Sequence, residues 1–297
     1  MMIDFHCHAG TGDGLKGPWD TVARLDDYRR RADAAGIVHT VLLPVFQSDY
    51  RRGNREVAAL VRRDPQRYSG FAMLHTERDR DRIDVMVAEA VALGLRGLKI
   101  HRHDAAIHRP ACEAARRHRL PVLYDPAGDV ASLSLLGDEF PDVPFVFAHL
   151  GSFADDWGAQ RQVIDLIARY PNLFADTSGV RRFDILQEAV RRAGAHKLIF
   201  GSDGPWTHPA LELAKIDLLK LNATARQRIT SDNARMLLGL TPGLQPRLLT
   251  VATKIAVGPF ADIDPYARTV AYSPRRSTVR RNWSARGVTP RRAAASF

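Results

Sequence analysis

The segment Ile3-Asp4-Phe5-His6-Cys7-His8 is the most informative in the chain, because an apolar, strand-like run ends there in two histidines. Side chains two residues apart on a strand point to the same face, so we expect the imidazoles of His6 and His8 to converge. Seven more short apolar runs follow, each separated from the next by a helix-length stretch. The eight predicted strands cover residues 3–7, 38–43, 70–74, 95–100, 120–124, 144–148, 173–175 and 198–201.

Amphipathic patterns between these runs predict the helices. They cover residues 22–35, 55–63, 80–93, 109–118, 157–170 and 183–193. Strands that alternate with helices imply a parallel sheet with the helices outside it. Eight units favour a closed TIM (β/α)8 barrel over an open doubly wound sheet, and 297 residues suffice for such a barrel, which typically needs about 250.

The positive charge of the chain is concentrated near its C-terminus. The formal net charge is +10, and residues 242–297 hold nine Arg and one Lys against two Asp, which leaves only +2 for residues 1–241. A nearly balanced charge does not indicate a polyanion-binding domain. We expect residues 1–241 to form the catalytic domain and residues 242–297 to form a basic tail of low order, the one segment through which nucleic acid could be a partner.

Cysteine usage and the N-terminal segment bear on the compartment. Cys7 and Cys112 do not form a closely spaced pair, so a disulfide framework has no support. The first residues show no basic leader and no long apolar stretch. We therefore expect a cytoplasmic protein with no membrane partner, and we leave homo-oligomer formation open.

Polar side chains follow most of the predicted strands. Barrel enzymes place their chemistry at the carboxyl ends of their strands. At or just beyond these positions lie His6, His8, His75, His101, His103, Asp125, His149, Asp176, Ser178, Asp203 and His208. Seven of the eleven histidines lie at or just beyond a strand end, which predicts a functional site there.

Two of these histidines and one aspartate predict a metal site. Strands one and eight are neighbours in a closed barrel, so Asp203 can reach the site formed by His6 and His8. Two imidazole nitrogens and a carboxylate with one open position suit a divalent metal. The H-x-H pattern is weak alone, and its specificity comes from its position on strand one together with Asp203 on strand eight.

The chain resembles the amidohydrolase superfamily over residues 2–241, in particular the amidohydrolase-related branch that includes aminocarboxymuconate semialdehyde decarboxylase. The resemblance is carried by the segments Ile3-Asp4-Phe5-His6-Cys7-His8, Gly97-Leu98-Lys99-Ile100-His101, Phe147-Ala148-His149-Leu150-Gly151, Phe200-Gly201-Ser202-Asp203-Gly204-Pro205-Trp206 and Asp232-Asn233-Ala234-Arg235-Met236-Leu237-Leu238-Gly239-Leu240. It implies a zinc or similar ion held by His6, His8 and Asp203. It also implies that Asp203 takes part in proton transfer. His149 would act as an acid/base or serve as a further metal ligand.

The chain departs from this family at strand five, where Asp125 stands in place of the usual ligand histidine. As a ligand, Asp125 would make a more oxygen-rich site that suits manganese or iron as well as zinc. Alternatively, Asp125 orients a neighbouring histidine or caps the following helix.

Four residues are candidates for substrate binding. Lys99 and His101 share one face of strand four by period-two alternation, and we favour a substrate role for Lys99 over a bridging carbamate. Arg181 could pair with a substrate carboxylate, although solvated surface charge is the more ordinary interpretation. Trp206 could form a wall of the pocket.

The sequence therefore predicts a metal-dependent hydrolase that acts on a small carbonyl compound, an amide, lactone or ester, through metal-activated water. The first alternative is non-oxidative decarboxylation of an aromatic or enoic acid at the same ligands. The second is an inactive barrel that serves as a binding protein, which the missing strand-five histidine motivates. In each case the expected partner is a small molecule, and zinc is favoured over manganese or iron.

Overall fold

Strands and helices alternate in the computed structural model, which describes residues 2–14, 22–153 and 156–240. The strands are β1 (Met2–His8), β2 (Gly10–Thr11), β3 (Val22–Ala23), β4 (Ile37–Leu43), β5 (Tyr68–Gly70), β6 (Ala72–Leu74), β7 (Leu98–His101), β8 (Val122–Asp125), β9 (Phe145–Phe147), β10 (Leu173–Asp176) and β11 (Leu198–Ile199). The α-helices are α1 (Leu25–Ala34), α2 (Tyr50–Arg63), α3 (Ile83–Ala92), α4 (Arg109–His118), α5 (Ser134–Glu139), α6 (Trp157–Arg169), α7 (Phe183–Ala193), α8 (Pro209–Leu218), α9 (Ala223–Gln227) and α10 (Asn233–Leu238). The predicted tail, residues 242–297, lies outside the described residues.

Nine of the eleven strands in the described residues form two parallel sheets, as the alternation of strands and helices predicts. One has the order β1-β4-β5 and the other β11-β10-β9-β8-β7-β6. Phe71 alone separates β5 from β6, and its N–H donates to the carbonyl of Leu42 at 3.0 Å. At the opposite edges the N–H of Phe5 donates to the carbonyl of Phe200, also at 3.0 Å. The chain itself therefore connects the two sheets on one side, and on the other side a backbone hydrogen bond joins β1 to the residue after β11.

Buried apolar side chains divide into two clusters, because successive strand residues point to opposite faces. The larger, outer cluster packs the strands against the helices. The smaller, inner cluster contains Phe5 and Phe71, whose rings meet edge to face with centroids 5.4 Å apart, and it includes Leu238 of α10. Its buried members are Ile3, Phe5, Val41, Leu43, Phe71, Leu123, Val146, Ala148, Phe174, Ile199, Ala234 and Leu238.

An irregularity in β1 changes which of its side chains point to the inner side of the sheet. Phe5 belongs to the inner cluster and Cys7 to the outer one, although they are two residues apart. The pairing of β1 with β4 shifts register between Asp4 and Cys7. Such a shift reverses the alternation of a strand, so His6 and His8 take the inner side in place of Cys7.

The eight predicted strands all have counterparts, β5 and β6 together forming the third, and α4 and α7 have the predicted bounds. The helix predicted over residues 22–35 begins only at Leu25, because β3 pairs with β2 as an antiparallel ladder. Helix α2 begins at Tyr50 rather than at residue 55, because the Asp49 side chain caps it. None of the helices among the described residues is long and apolar enough to cross a membrane.

Candidate active site

Polar side chains from six parts of the fold meet at the carboxyl ends of the parallel strands. Strand β1 supplies His6 and His8, β7 supplies Lys99 and His101, β8 supplies Asp125 and β10 supplies Asp176, while His149 and Asp203 lie in the turns after β9 and β11. All are buried except His101 and Asp203, which are partly buried.

His6, His8 and Asp203 form a group whose ligand atoms lie within 4.8 Å of one another. Oδ1 of Asp203 lies 3.4 Å from Nε2 of His6 and 3.6 Å from Nε2 of His8. The Nδ1 atoms face acceptors at 2.8 Å: that of His6 faces Oδ2 of Asp176, and that of His8 faces the carbonyl of Pro44. Because a carbonyl and a carboxylate only accept, both Nδ1 atoms donate, and each neutral ring presents its Nε2 lone pair to Asp203.

The backbone at two of these residues is left-handed, a conformation that non-glycine residues rarely adopt. His149 has φ 58° and Asp203 has φ 57°. The N–H of Asp203 donates to the carbonyl of His6 at 2.7 Å, and that of His149 donates to Oδ1 of Asp176 at 3.0 Å. Such backbone strain costs about 1–3 kcal/mol per residue and persists only where surrounding contacts hold it, as these hydrogen bonds do.

Asp176 connects the histidines of the site to one another. Besides accepting from His6, it accepts from the hydroxyl of Ser178 at 2.7 Å and from the N–H of Ser178 at 3.0 Å. Nδ1 of His149 in turn donates to the carbonyl of Ser178 at 2.9 Å. A single carboxylate on β10 thus orients two imidazoles.

Asp125 lies outside the His6–His8–Asp203 group. Its Oδ2 is 3.0 Å from Nε2 of His101 and 3.4 Å from Nε2 of His149. Its Oδ1 accepts from the N–H of Ala127 at 2.8 Å. This geometry corresponds to a residue that orients neighbouring histidines, with a hydrogen bond to the loop that follows β8.

Burial and nearby charges set the protonation of the site. Burial, with the charge of Lys99 second, lowers the pKa of His6 to about 3, so the ring stays neutral. Burial raises the pKa of Asp203 to about 7, with Asp176 and Asp125 adding to it while His149 and Lys99 oppose it. Burial lowers the pKa of His149, but the hydrogen bond and charge of Asp125 together with the charges of Asp203 and Asp176 outweigh it and raise this pKa to about 9. The site therefore combines a carboxyl that can gain or lose a proton near neutral pH with an imidazole that keeps its proton there.

Two exposed aromatic rings flank the histidines. Trp206 lies against His8 with ring centroids 4.7 Å apart, and Phe153 meets the edge of His149 at 5.0 Å. The Arg181 guanidinium lies 5.4 Å from the Phe153 ring. A planar molecule that entered between these rings would meet the imidazoles and a nearby cation.

The structure brings most of the sequence-predicted residues together. His6, His8 and Asp203 form one group, and His149 lies beside His6 with ring centroids 5.1 Å apart. Lys99 contacts His6 and Trp206 contacts His8, whereas Arg181 lies farther out on Phe153. Asp176 and Ser178 stand at a predicted strand end, where no sequence pattern assigns them a role. Phe153 is not predicted from the sequence, because a single aromatic residue in the loop after His149 forms no pattern.

Comparison with known proteins gives a family and a fold. The chain matches the model of the amidohydrolase family named Amidohydro_2 over residues 3–240. No curated protein matches the chain in sequence.

Solved structures with the same fold include a 5-carboxyvanillate decarboxylase from Sphingomonas paucimobilis, with 16% identity, TM-score 0.63 and coverage of 81% of this chain and 99% of that one. A protein described as a candidate 2-pyrone-4,6-dicarboxylic acid hydrolase from Pseudomonas putida has 22% identity, TM-score 0.64 and coverage of 82% and 98%. A manganese-bound 5-carboxyvanillate decarboxylase from Novosphingobium aromaticivorans has 14% identity, TM-score 0.65 and coverage of 80% and 97%. At these identities the likeness establishes the fold. The family match spans most of the chain, and the chain therefore belongs to the amidohydrolase family.

Proposed function

We propose that this protein is a metal-dependent hydrolase that attacks a small carbonyl compound, an amide, lactone or ester, with water. The observation that carries the proposal is the convergence of the Nε2 atoms of His6 and His8 on Oδ1 of Asp203, within 4.8 Å. Hydrogen bonds to the opposite nitrogen of each ring direct both lone pairs to that point. A purely structural cluster has no need for imidazoles oriented in this way.

The donor set fits a divalent ion with two nitrogen ligands and one oxygen ligand and leaves room for water. We favour zinc, for which imidazole nitrogens and a carboxylate are usual ligands. Manganese and iron are the alternatives, and the Novosphingobium decarboxylase of the same fold holds manganese. The orientation of Asp125 toward His101 and His149 supports a positioning role for this residue rather than ligation. When bound, the ion polarises the carbonyl and lowers the pKa of water toward about 7.

The surrounding side chains divide the remaining work. Asp203, partly buried and beside two imidazoles, accepts the proton of the attacking water. His149, held by Asp125 and Ser178, donates a proton to the leaving group. Trp206 and Phe153 position the substrate between their rings, and His101 and Arg181 contact its polar groups.

We further propose that the β/α units close into an eight-stranded TIM barrel that forms the catalytic domain. The unbroken chain from β5 through Phe71 to β6 supports closure, as do the hydrogen bond from Phe5 to Phe200 and the pairing of Cys7 with Gly204. Closure places β1 beside the turn after β11, which is what lets Asp203 reach His6.

The test is metal content and hydrolysis in the same set of variants. We expect about one transition metal per chain in the native protein and its loss in His6→Ala and Asp203→Ala, together with loss of hydrolysis in a screen of amides, esters and lactones. His118→Ala at the end of α4 is the matched control and should retain both. A native chain that neither contains nor takes up zinc or manganese would refute metal dependence.

A second candidate is non-oxidative decarboxylation. The exposed rings of Trp206 and Phe153 beside the histidines suit a flat aromatic or enoic acid, and two of the proteins with this fold are named as decarboxylases. Carbon dioxide release from such acids without addition of water would favour this reaction over hydrolysis.

A further inference from the structure

Lys99 places an amino group against the face of His6 that would bind metal. Its side chain is fully buried on the inner side of β7. Nζ of Lys99 lies 3.3 Å from Nε2 of His6. Since Nδ1 of His6 donates its proton to Asp176, Nε2 can only accept here, and Lys99 is the donor.

A lone pair that accepts this hydrogen bond is not free to ligate. A metal ion and the Lys99 N–H thus require the same orbital of His6, and the two cannot hold it together. His8 has no such competitor of its Nε2 among its described hydrogen bonds, which join its Nδ1 to Pro44. The conflict is therefore specific to one of the three donors.

The charges around Lys99 explain why a buried lysine is tolerated there. Burial lowers the pKa of Lys99, and the charges of Asp125, Asp176 and Asp203 oppose that shift. A buried cation among three acidic groups offsets their mutual repulsion, which a metal ion at the same point would also do.

Lys197 shows how this fold accommodates a buried lysine with a structural role. Its Nζ donates to three backbone carbonyls, those of Tyr170, Pro171 and Leu173, at 2.6–3.1 Å. Lys99, in contrast, has its described hydrogen bond with a ring nitrogen of the candidate metal site. The two lysines are both buried, yet only one faces the site.

We infer that Lys99 is the resident cation of the metal-free site, that it competes with the divalent ion for His6, and that it thereby sets the metal affinity. The inference rests on the proposed metal site of His6, His8 and Asp203. In this arrangement Lys99 leaves His6 when the ion binds, and the metal-free protein keeps its carboxylates balanced without an ion.

The experiment compares zinc and manganese binding to metal-stripped full-length protein, Lys99→Met and Lys197→Met by isothermal titration, with thermal unfolding of each. Lys99→Met should bind about tenfold more tightly or better, because a competing donor and a like charge are removed. Its metal-free form should melt lower than the native protein, while its melting temperature should rise more on addition of metal. Lys197→Met should also melt lower but keep the native dissociation constant.

If Lys99→Met bound metal with an unchanged or larger dissociation constant, the inference would be overturned. The proposed function would survive that result if His6→Ala still abolished metal binding. If neither the native protein nor Lys99→Met bound zinc or manganese, both the inference and the proposed function would be overturned. Should Lys99→Met fail to fold, Lys99→Leu also removes both the donor and the charge, and its dissociation constant is read in the same way.

Discussion

Replacing Asp176 with Asn is the sharpest test of the tautomer argument, which holds that Asp176 keeps the proton of His6 on Nδ1 and so leaves a lone pair on Nε2 for a metal ion. One oxygen of Asp176 accepts from the hydroxyl and N–H of Ser178 and from the N–H of His149, and the amide oxygen of Asn can keep these contacts. The amide nitrogen then replaces Oδ2 and faces Nδ1 of His6, where two donors would meet. To relieve this, His6 must move its proton to Nε2 and lose the lone pair that would bind metal.

The magnitude follows from losing the correct form of one ligand out of three. Partners that orient metal-bound histidines typically contribute 10–100-fold to affinity, about 1.4–2.7 kcal/mol. We expect Asp176→Asn to weaken zinc or manganese binding by that factor in a titration of metal-stripped protein. Loss of a charge-assisted hydrogen bond should also lower the free energy of unfolding by about 1.5–3 kcal/mol.

A surface aspartate provides the control for this experiment. Asp165 pairs with Arg192 between α6 and α7, and Asp165→Asn makes the same chemical change in solvent. Its metal affinity should match that of the native protein. If Asp176→Asn bound metal within about twofold of the native protein while His6→Ala did not bind, the tautomer argument would be refuted.

Three further predictions concern stability. Gly97→Ala would place its Cβ 2.4 Å from the ring of Phe71, so we expect about 1–3 kcal/mol of destabilisation in denaturant unfolding, and a neutral result would mean that the ring can move. Asn233→Ala removes the donor to the carbonyls of Ala195 and Leu198, so we expect the free energy of unfolding to fall by about 2–3 kcal/mol in the same measurement. A fall of less than about 0.5 kcal/mol would mean that these carbonyls find other partners. A chelator should lower the melting temperature of metal-loaded protein and added metal should restore it, and an equal response in the His6→Ala variant would show that the ion binds elsewhere.

The alternation of strands and helices could be predicted from the sequence because it depends on local periodicity. Helices α4 and α7 carry a sustained amphipathic pattern and end as predicted. The start of α1 could not be predicted, because whether Val22 begins a helix or joins β3 depends on pairing with Gly10–Thr11, a contact between segments distant in sequence. Short helices such as α5 are missed because six residues hold too little periodicity to detect.

The candidate site divides along the same line. His6, His8 and Asp203 could be named from the sequence, because an H-x-H strand and an aspartate after the last strand have recognisable spacing. The role of Asp176 could not, and for Asp125 the sequence left ligation and orientation of a histidine both open, since these roles depend on which atom of each carboxylate meets which ring nitrogen. Phe153 gave no usable signal, because an aromatic residue in a loop has no orientation until the loop is placed against His149.

The sequence by itself determined the β/α order, the family and the residue types at the carboxyl ends of the strands, because these depend on spacing along the chain. The tertiary structure alone decided that a register shift in β1 brings His6 and His8 to the inner side. It alone decided that Lys99 meets His6 across the sheet. The physical reason is that hydrogen bonds and charge interactions act over a few ångströms, and only folding brings residues separated by about ninety positions, such as His6 and Lys99, to that distance.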